Sequence, residues 1–206
     1  MKQNYQILCE KTIQETCRNE VRPTLLLHAC CAPCSSYVLE YLSRYFQITL
    51  FFYNPNIEPK EEYYFRQKEL ERLVTEMGLS DDVKIICAEY HPEAFTEIAK
   101  GMEHFPEGTS RCAACYRLRL SASAKLAATD GFDFYTTTLS ISPYKNAEWL
   151  NTIGQEEGAK AGVKWLFSDF KKKNGYKRSC ELSAQYGLYR QDFCGCVYSK
   201  QAKNQK

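Results

Sequence analysis

Short apolar runs alternate with longer amphipathic stretches along most of this chain. Continuous apolar, β-rich runs fall at residues 24–28, 48–53, 83–88, 132–138 and 164–167, and they read as strands buried on both faces. The stretches between them read as helices. Residues 35–46 open on Ser35 and Ser36, which can cap a helix, and place Val38, Leu39 and Leu42 on one face. Residues 60–77 are long, charged and amphipathic, with Gly78 placed to end the helix. Residues 92–102 put Pro92 in a first turn. Residues 112–129 are rich in Ala, Leu and Arg and stop near Gly131, and Asn146 can cap a helix running to residue 159. Strand and helix in alternation predict an α/β fold, a Rossmann-like (HUP-like) three-layer sandwich around a parallel sheet. After Phe167 the pattern changes. A basic, turn-rich segment from Asp169 to Gly175 precedes a short helical stretch at 183–189 and a Cys194-Gly195-Cys196 tip. The expected organisation is one α/β domain over 1–206, in which residues 168–200 form a basic, cysteine-containing appendage packed on the active site. No repeat or low-complexity segment interrupts it.

Composition narrows this little. A chain of 206 residues, 44% hydrophobic and 25% charged, can bury one full core. The polar first twenty residues lack a signal-peptide pattern, and the apolar run from Thr24 is too short to span a bilayer. A cytoplasmic protein with no membrane partner is expected. Charge is more informative. The net charge of +2 divides into 16 Lys/Arg against 22 Asp/Glu over residues 1–159, and 11 against 3 over residues 160–206. The basic C-terminal quarter suggests contact with a polyanion. The plainer alternative is a solvated basic tail, with Lys200, Lys203 and Lys206 in a disordered end.

The eleven cysteines change the picture most. Seven fall in three clusters: Cys30-Cys31-x-x-Cys34, Cys112-x-x-Cys115 and Cys194-Gly195-Cys196. Structural disulfides rarely persist in a reducing cytosol, and an odd count argues against a fully paired framework. Cys30 and Cys31 follow the first strand directly, with Pro33 breaking the strand. Related nucleotide-binding folds hold a phosphate loop there, but this chain has no Gly-rich cradle, which disfavours ATP. Cys112-x-x-Cys115 opens a helix, whose positive end stabilises thiolate. The two pairs together could form a four-sulfur site for an iron–sulfur cluster or zinc, or remain uncoupled thiols. Cys194-Gly195-Cys196 would close a small, strained ring as a disulfide, which favours a redox dithiol over a third ligand pair. Cys34 could ligate a second metal, supply a thiol or line the wall. Cys9, Cys17, Cys87 and Cys180 read as packing or surface thiols, with Cys87 expected to be buried in its strand.

The ordered motifs carry a resemblance. They are Leu27-His28-Ala29-Cys30-Cys31-Ala32-Pro33-Cys34-Ser35, Phe52-Tyr53-Asn54-Pro55-Asn56-Ile57, Arg111-Cys112-x-x-Cys115-Tyr116-x-x-Arg119, Thr136-Thr137-Thr138-Leu139, Ser142-Pro143-Tyr144-Lys145-Asn146 and Tyr189-Arg190-Gln191-x-Phe193-Cys194-Gly195-Cys196. Together they resemble the QueH family of epoxyqueuosine reductases. The resemblance implies an enzyme that reduces the epoxide of epoxyqueuosine at the tRNA wobble position to give queuosine. It implies a [4Fe–4S] cluster held by Cys30, Cys31, Cys112 and Cys115, and a redox-active disulfide between Cys194 and Cys196. It also implies an additional metal ion beside the cluster, for which Cys34 is the ligand this reading suggests. The partners would be that tRNA and an unidentified electron donor. Lys145, Arg119 and residues 171–178 are candidates for phosphate contact, and Tyr53, Tyr116 and Tyr144 for proton donation. The rival readings are a zinc-stabilised RNA-binding module and an iron–sulfur tRNA thiolation enzyme.

Overall fold

The computed structural model describes residues 3–16 and 22–204. Five parallel strands lie in the order β3-β2-β1-β4-β5: β1 (Thr24–His28), β2 (Gln47–Phe52), β3 (Lys84–Cys87), β4 (Phe134–Thr137) and β5 (Lys164–Trp165). Leu27 of β1 lies opposite Leu50 of β2 and Thr136 of β4. The helices are α1 (Tyr5–Thr16), α2 (Ala32–Leu42), α3 (Lys60–Glu76), α4 (Glu93–Ala99), α5 (Ser110–Thr129), α6 (Ala147–Ala161), α7 (Gly175–Gln185) and α8 (Val197–Asn204).

Alternation along each strand divides the core into two halves. Leu25, Leu27, Leu50 and Phe52 pack under Val38, Leu39 and Leu42 of α2 and Leu70 and Val74 of α3. Leu26 and Phe51 face the other way, against Leu120, Ala124 and Ala127 of α5 and Leu150 and Ile153 of α6. This is a Rossmann-like three-layer sandwich, as the alternation predicted. Each fully buried leucine contributes roughly 2 kcal/mol of apolar burial.

The order reverses at β1. Chain leaving β1 turns toward β2, whereas chain leaving β4 turns toward β5, so a crevice opens between the C-terminal ends of β1 and β4. Cys30 lies just past β1, and a 3₁₀ turn at Thr138–Ile141 follows β4. The fold therefore points the first cysteine cluster into the crevice.

Several local expectations are corrected. The polar N-terminus forms α1, whose Cys9 and Ile13 are buried. α2 starts at Ala32, before the two serines. Ser35 and Ser36 donate back to the carbonyls of Cys31 and Pro33 rather than capping. Helix α7 covers Gly175–Gln185, eight residues earlier than expected, because Lys173 and Asn174 take left-handed backbone (φ 51° and 65°) and launch it there. Lys200 and Lys203 sit on α8 and not in a disordered tail. Cys87 is only half-buried, because β3 is an edge strand. Cys17 and Lys206 lie outside the described residues.

Candidate active site

Cys30, Cys31 and Cys34 are brought together by the turn between β1 and α2. Cys31, in extended backbone (φ −174°), is the last residue before α2, and Pro33 sits in its first turn, where no amide donor is needed. The three sulfurs lie within 4.8 Å of one another, and Cys30 Sγ is 3.7 Å from Cys31 Sγ. The group could hold a metal ion. Its protons are unevenly shared. Hydrogen bonding to Cys31 pushes Cys30 up to about 12, while the same contact holds Cys31 well below the usual thiol range. Hydrogen bonds to Cys30 and Cys31 push Cys34 up. Across the crevice, the Cys30 amide donates to Thr138 Oγ1 at 3.2 Å, and the Thr138 hydroxyl reaches Cys30 Sγ at 3.5 Å.

Cys112 and Cys115 enter on the first turns of α5. The Gly108 amide donates to Cys112 Sγ at 3.3 Å, so this thiol folds back over the helix start. Cys115 is buried, and burial pushes its thiol up to about 11. One turn further on lies Arg119, only 2% exposed. Its Nε donates to the Cys115 carbonyl at 3.3 Å and its Nη1 to Asn54 Oδ1 at 3.4 Å. Asn54 donates in turn to the Ala29 carbonyl at 2.9 Å, tying α5 to the Cys30 turn. Burial opposes the Arg119 charge, but the fields of Cys115, Cys194 and Cys30 outweigh it.

The C-terminal segment closes over this region. Gln191 donates through Nε2 to Cys31 Sγ at 3.0 Å. Cys194 and Cys196 are free thiols. Gly195 between them has φ 112°, a backbone that side chains disfavour, and an added Cβ would sit 2.9 Å from Ile57 Cγ1. The Gly195 carbonyl accepts from the Glu58 amide, and the Cys194 carbonyl from Arg66 Nη1. Cys196 Sγ accepts from the Ser199 amide in the first turn of α8, at 3.4 Å. Lys145 Nζ lies 3.2 Å from Cys194 Sγ and 3.1 Å from Glu107. Hydrogen bonding to Cys196, aided by Lys145 and Arg119, keeps Cys194 well below the usual thiol range, and the shared proton pushes Cys196 up.

A cleft of about 840 Å³ adjoins these thiols, lined by Gly108, Tyr116, Tyr144, Lys145, Trp149 and Lys172 among others. A smaller cavity of about 430 Å³, at Thr24, Gln47 and Lys84, lies at the opposite, N-terminal ends of the strands, away from every cysteine cluster. The larger cleft is the one that chemistry favours.

Several candidate roles are revised by this geometry. Arg119 and Lys145 were candidates for phosphate contact, but both are buried among the thiols, Lys145 with a side chain 9% exposed. In the basic segment, Lys171 pairs with Asp169, Lys173 with Glu10, and Arg178 with Glu40. Lys172 and Lys177 have no ion pair among the described residues. Of the three tyrosines, Tyr116 is buried, Tyr53 stacks on Phe51, and Tyr144 is 82% exposed. Thr138, Asn54 and Gln191 stand in the sequence motifs but had no role there. Their function depends on contacts between segments up to 160 residues apart.

Fold and site together define a Rossmann-like α/β protein with a thiol-lined centre at its topological switch point. A family model described as epoxyqueuosine reductase QueH matches residues 25–202. The chain belongs to that family, whose members are oxidoreductases of tRNA modification. It is 44% identical to an epoxyqueuosine reductase QueH of Staphylococcus epidermidis, over 95% of this chain and 84% of that protein. It is 40% identical to one of Streptococcus pyogenes, over 95% and 78%, and 33% identical to one of Thermotoga maritima, over 89% and 93%. Among the described residues no helix is long and apolar enough to cross a membrane.

Proposed function

We propose that this protein reduces epoxyqueuosine to queuosine at the wobble position of tRNA in the cytoplasm. Family membership supports the reaction. The observation that carries it to this site is a cleft large enough for a nucleoside whose lining touches the thiols, Lys145 meeting Cys194 Sγ and Gly108 meeting Cys112 Sγ. Cys30, Cys31, Cys112 and Cys115 would hold a [4Fe–4S] cluster. The donor set fits: four thiols accompanied by a buried cation suit an anionic sulfur-ligated group. The tight Cys30–Cys31–Cys34 group has single-ion spacing, and Cys34 is the residue free to serve an additional metal ion. When bound, the cluster supplies one-electron transfer.

The chain's own residues account for the balance of the reaction. Converting an epoxide to an alkene consumes two electrons and two protons and releases the oxygen as water. The Cys194/Cys196 pair, held as thiolate and thiol, can supply both electrons and one proton by forming one S–S bond, and an external donor then restores it. Lys145 helps Cys196 hold Cys194 as thiolate and lines the cleft, so its ammonium can supply the second proton to the epoxide oxygen. Residues 168–200 serve as the appendage that carries these thiols onto the site. A flipped wobble base would enter the cleft past Tyr144, whose exposed ring offers a stacking face.

The test is anaerobic incubation of reduced, iron-loaded protein with tRNA containing epoxyqueuosine, followed by mass analysis of the anticodon nucleosides. The expected product is a nucleoside lighter by one oxygen. Unchanged epoxyqueuosine with a fully loaded, reduced protein would overturn the assignment.

A further inference from the structure

Arg119 is a buried cation without a carboxylate partner among the described residues. Its Nε and Nη1 are spent on the Cys115 carbonyl and on Asn54, the latter at a long 3.4 Å. Its Nη2 is buried and has no hydrogen-bond acceptor among the described residues. A guanidinium removed from water in this way costs several kcal/mol unless an anion compensates it. The Cys194 sulfur is already held by Lys145 at 3.2 Å, which leaves Arg119 without an anion of its own. Its Nε meets the Cys115 carbonyl, and Asn54 links its Nη1 to the Ala29 carbonyl beside Cys30, so the guanidinium sits between the two cysteine pairs and the missing acceptor belongs to the sulfur centre.

Other buried cations nearby are already satisfied. Arg66 pairs with Glu62, Arg111 holds the carbonyls of Met102 and Glu103, and Lys145 holds Glu107 and Cys194. Arg66 Nη2 also lacks a hydrogen-bond acceptor but lies 2.7 Å from the Glu62 carboxylate, so among these cations Arg119 alone combines an uncommitted buried donor with no ion-pair partner among the described residues. Its position is fixed from both sides, by its place on α5 and by the Asn54–Ala29 link to the Cys30 turn. That rigidity suits a donor that must meet a bound group without rearranging.

We propose that Arg119 is a positioning residue that donates through Nη2 to the sulfur-ligated centre and raises its reduction potential by offsetting negative charge. This rests on the reading that Cys30, Cys31, Cys112 and Cys115 hold an iron–sulfur cluster. Hydrogen bonds to cluster sulfurs and net local charge both set the potential, and each favours the reduced, more negative state. Arginine cannot lose its proton in a protein, so its effect persists across the working pH range.

Wild type, Arg119→Lys and Arg119→Gln are reconstituted anaerobically. Iron content and reduction potential are measured by dye-mediated spectroscopic titration. Arg119→Gln is expected to hold iron but to be reduced only at lower potential, with Arg119→Lys in between because it keeps the charge and loses the fork. An Arg119→Gln protein that holds iron at the wild-type potential overturns the proposal and leaves the cluster reading intact. Wild type that binds no iron overturns the cluster reading, and this proposal with it. Where Arg119→Gln does not fold, wild type labelled with [15N]arginine decides. Pulsed EPR of the one-electron-reduced protein is then expected to show a coupling to guanidinium nitrogen that Arg119→Lys loses, and no such coupling in wild type overturns the assignment.

Discussion

His28, the last residue of β1, is completely buried between two polar neighbours. Its Nε2 lies 3.0 Å from the Tyr53 carbonyl, which can only accept, so Nε2 carries the proton. Nδ1 is then bare and accepts from the Thr137 hydroxyl at 2.8 Å. Burial lowers its pKa from 6.5 to about 3, so the folded protein holds it neutral. The unfolded chain takes up a proton below pH 6.5 that the folded protein refuses until about pH 3. Its contribution is therefore fully present above pH 6.5 and is lost as pH falls, by roughly 1.4 kcal/mol per pH unit through that window. Chemical denaturation across pH 4–7 checks this: His28→Gln should flatten the slope, and an unchanged slope would rule His28 out as its source. The thiols give a second, independent expectation. Cys30→Ser or Cys112→Ser should lose most of the iron and the activity, and full iron with normal turnover in either would refute the ligand assignment. Cys194→Ser should keep the iron and stop turnover. Iron loss there would make Cys194 a ligand.

The strand pattern was legible because period and burial agree. The run 24–28 carries three consecutive leucines between Thr24 and His28, and β1 is the central strand, covered on both faces. At the sheet's edge that agreement fails: β3 and Cys87 are half-exposed, since an edge strand has a neighbour on one side only. The cap at Asn146 was also readable, and its side chain accepts from the Trp149 amide at 3.1 Å. Asn146→Ala should cost about 1 kcal/mol in denaturant unfolding, and no loss would mean another group satisfies that amide. Helix α7 was misplaced because its start is set by packing. An added Cβ at Gly175 would lie 1.9 Å from the Phe170 carbonyl oxygen and 2.5 Å from the Tyr37 ring. Gly175→Ala should therefore destabilise the protein by about 3 kcal/mol, and wild-type stability would show that this junction yields easily. Helices α1 and α8 carry weak apolar stripes and depend on the rest of the fold for their burial.

Charge acts over longer distances than these contacts. Much of the basic C-terminal quarter is neutralised by pairs that cross the fold, such as Arg178–Glu40 and Lys173–Glu10. Lys172, on the cleft, and Lys177 remain for an external polyanion. Binding of substrate tRNA should weaken steeply with salt, and Lys172→Ala with Lys177→Ala should each reduce the log–log slope by roughly 1. Binding indifferent to salt would remove this face from the interface. The chain's local order was sufficient for the α/β class, the central strands and the three cysteine clusters, because side-chain period and residue chemistry are properties of neighbours in sequence. It carried no information on which cation meets which thiol. Arg119 and Lys145 looked like solvent-facing bases until the sheet's reversal at β1, the turn before α2 and the returning C-terminal segment enclosed them. Burial and pairing between residues a hundred positions apart depend on how the layers pack.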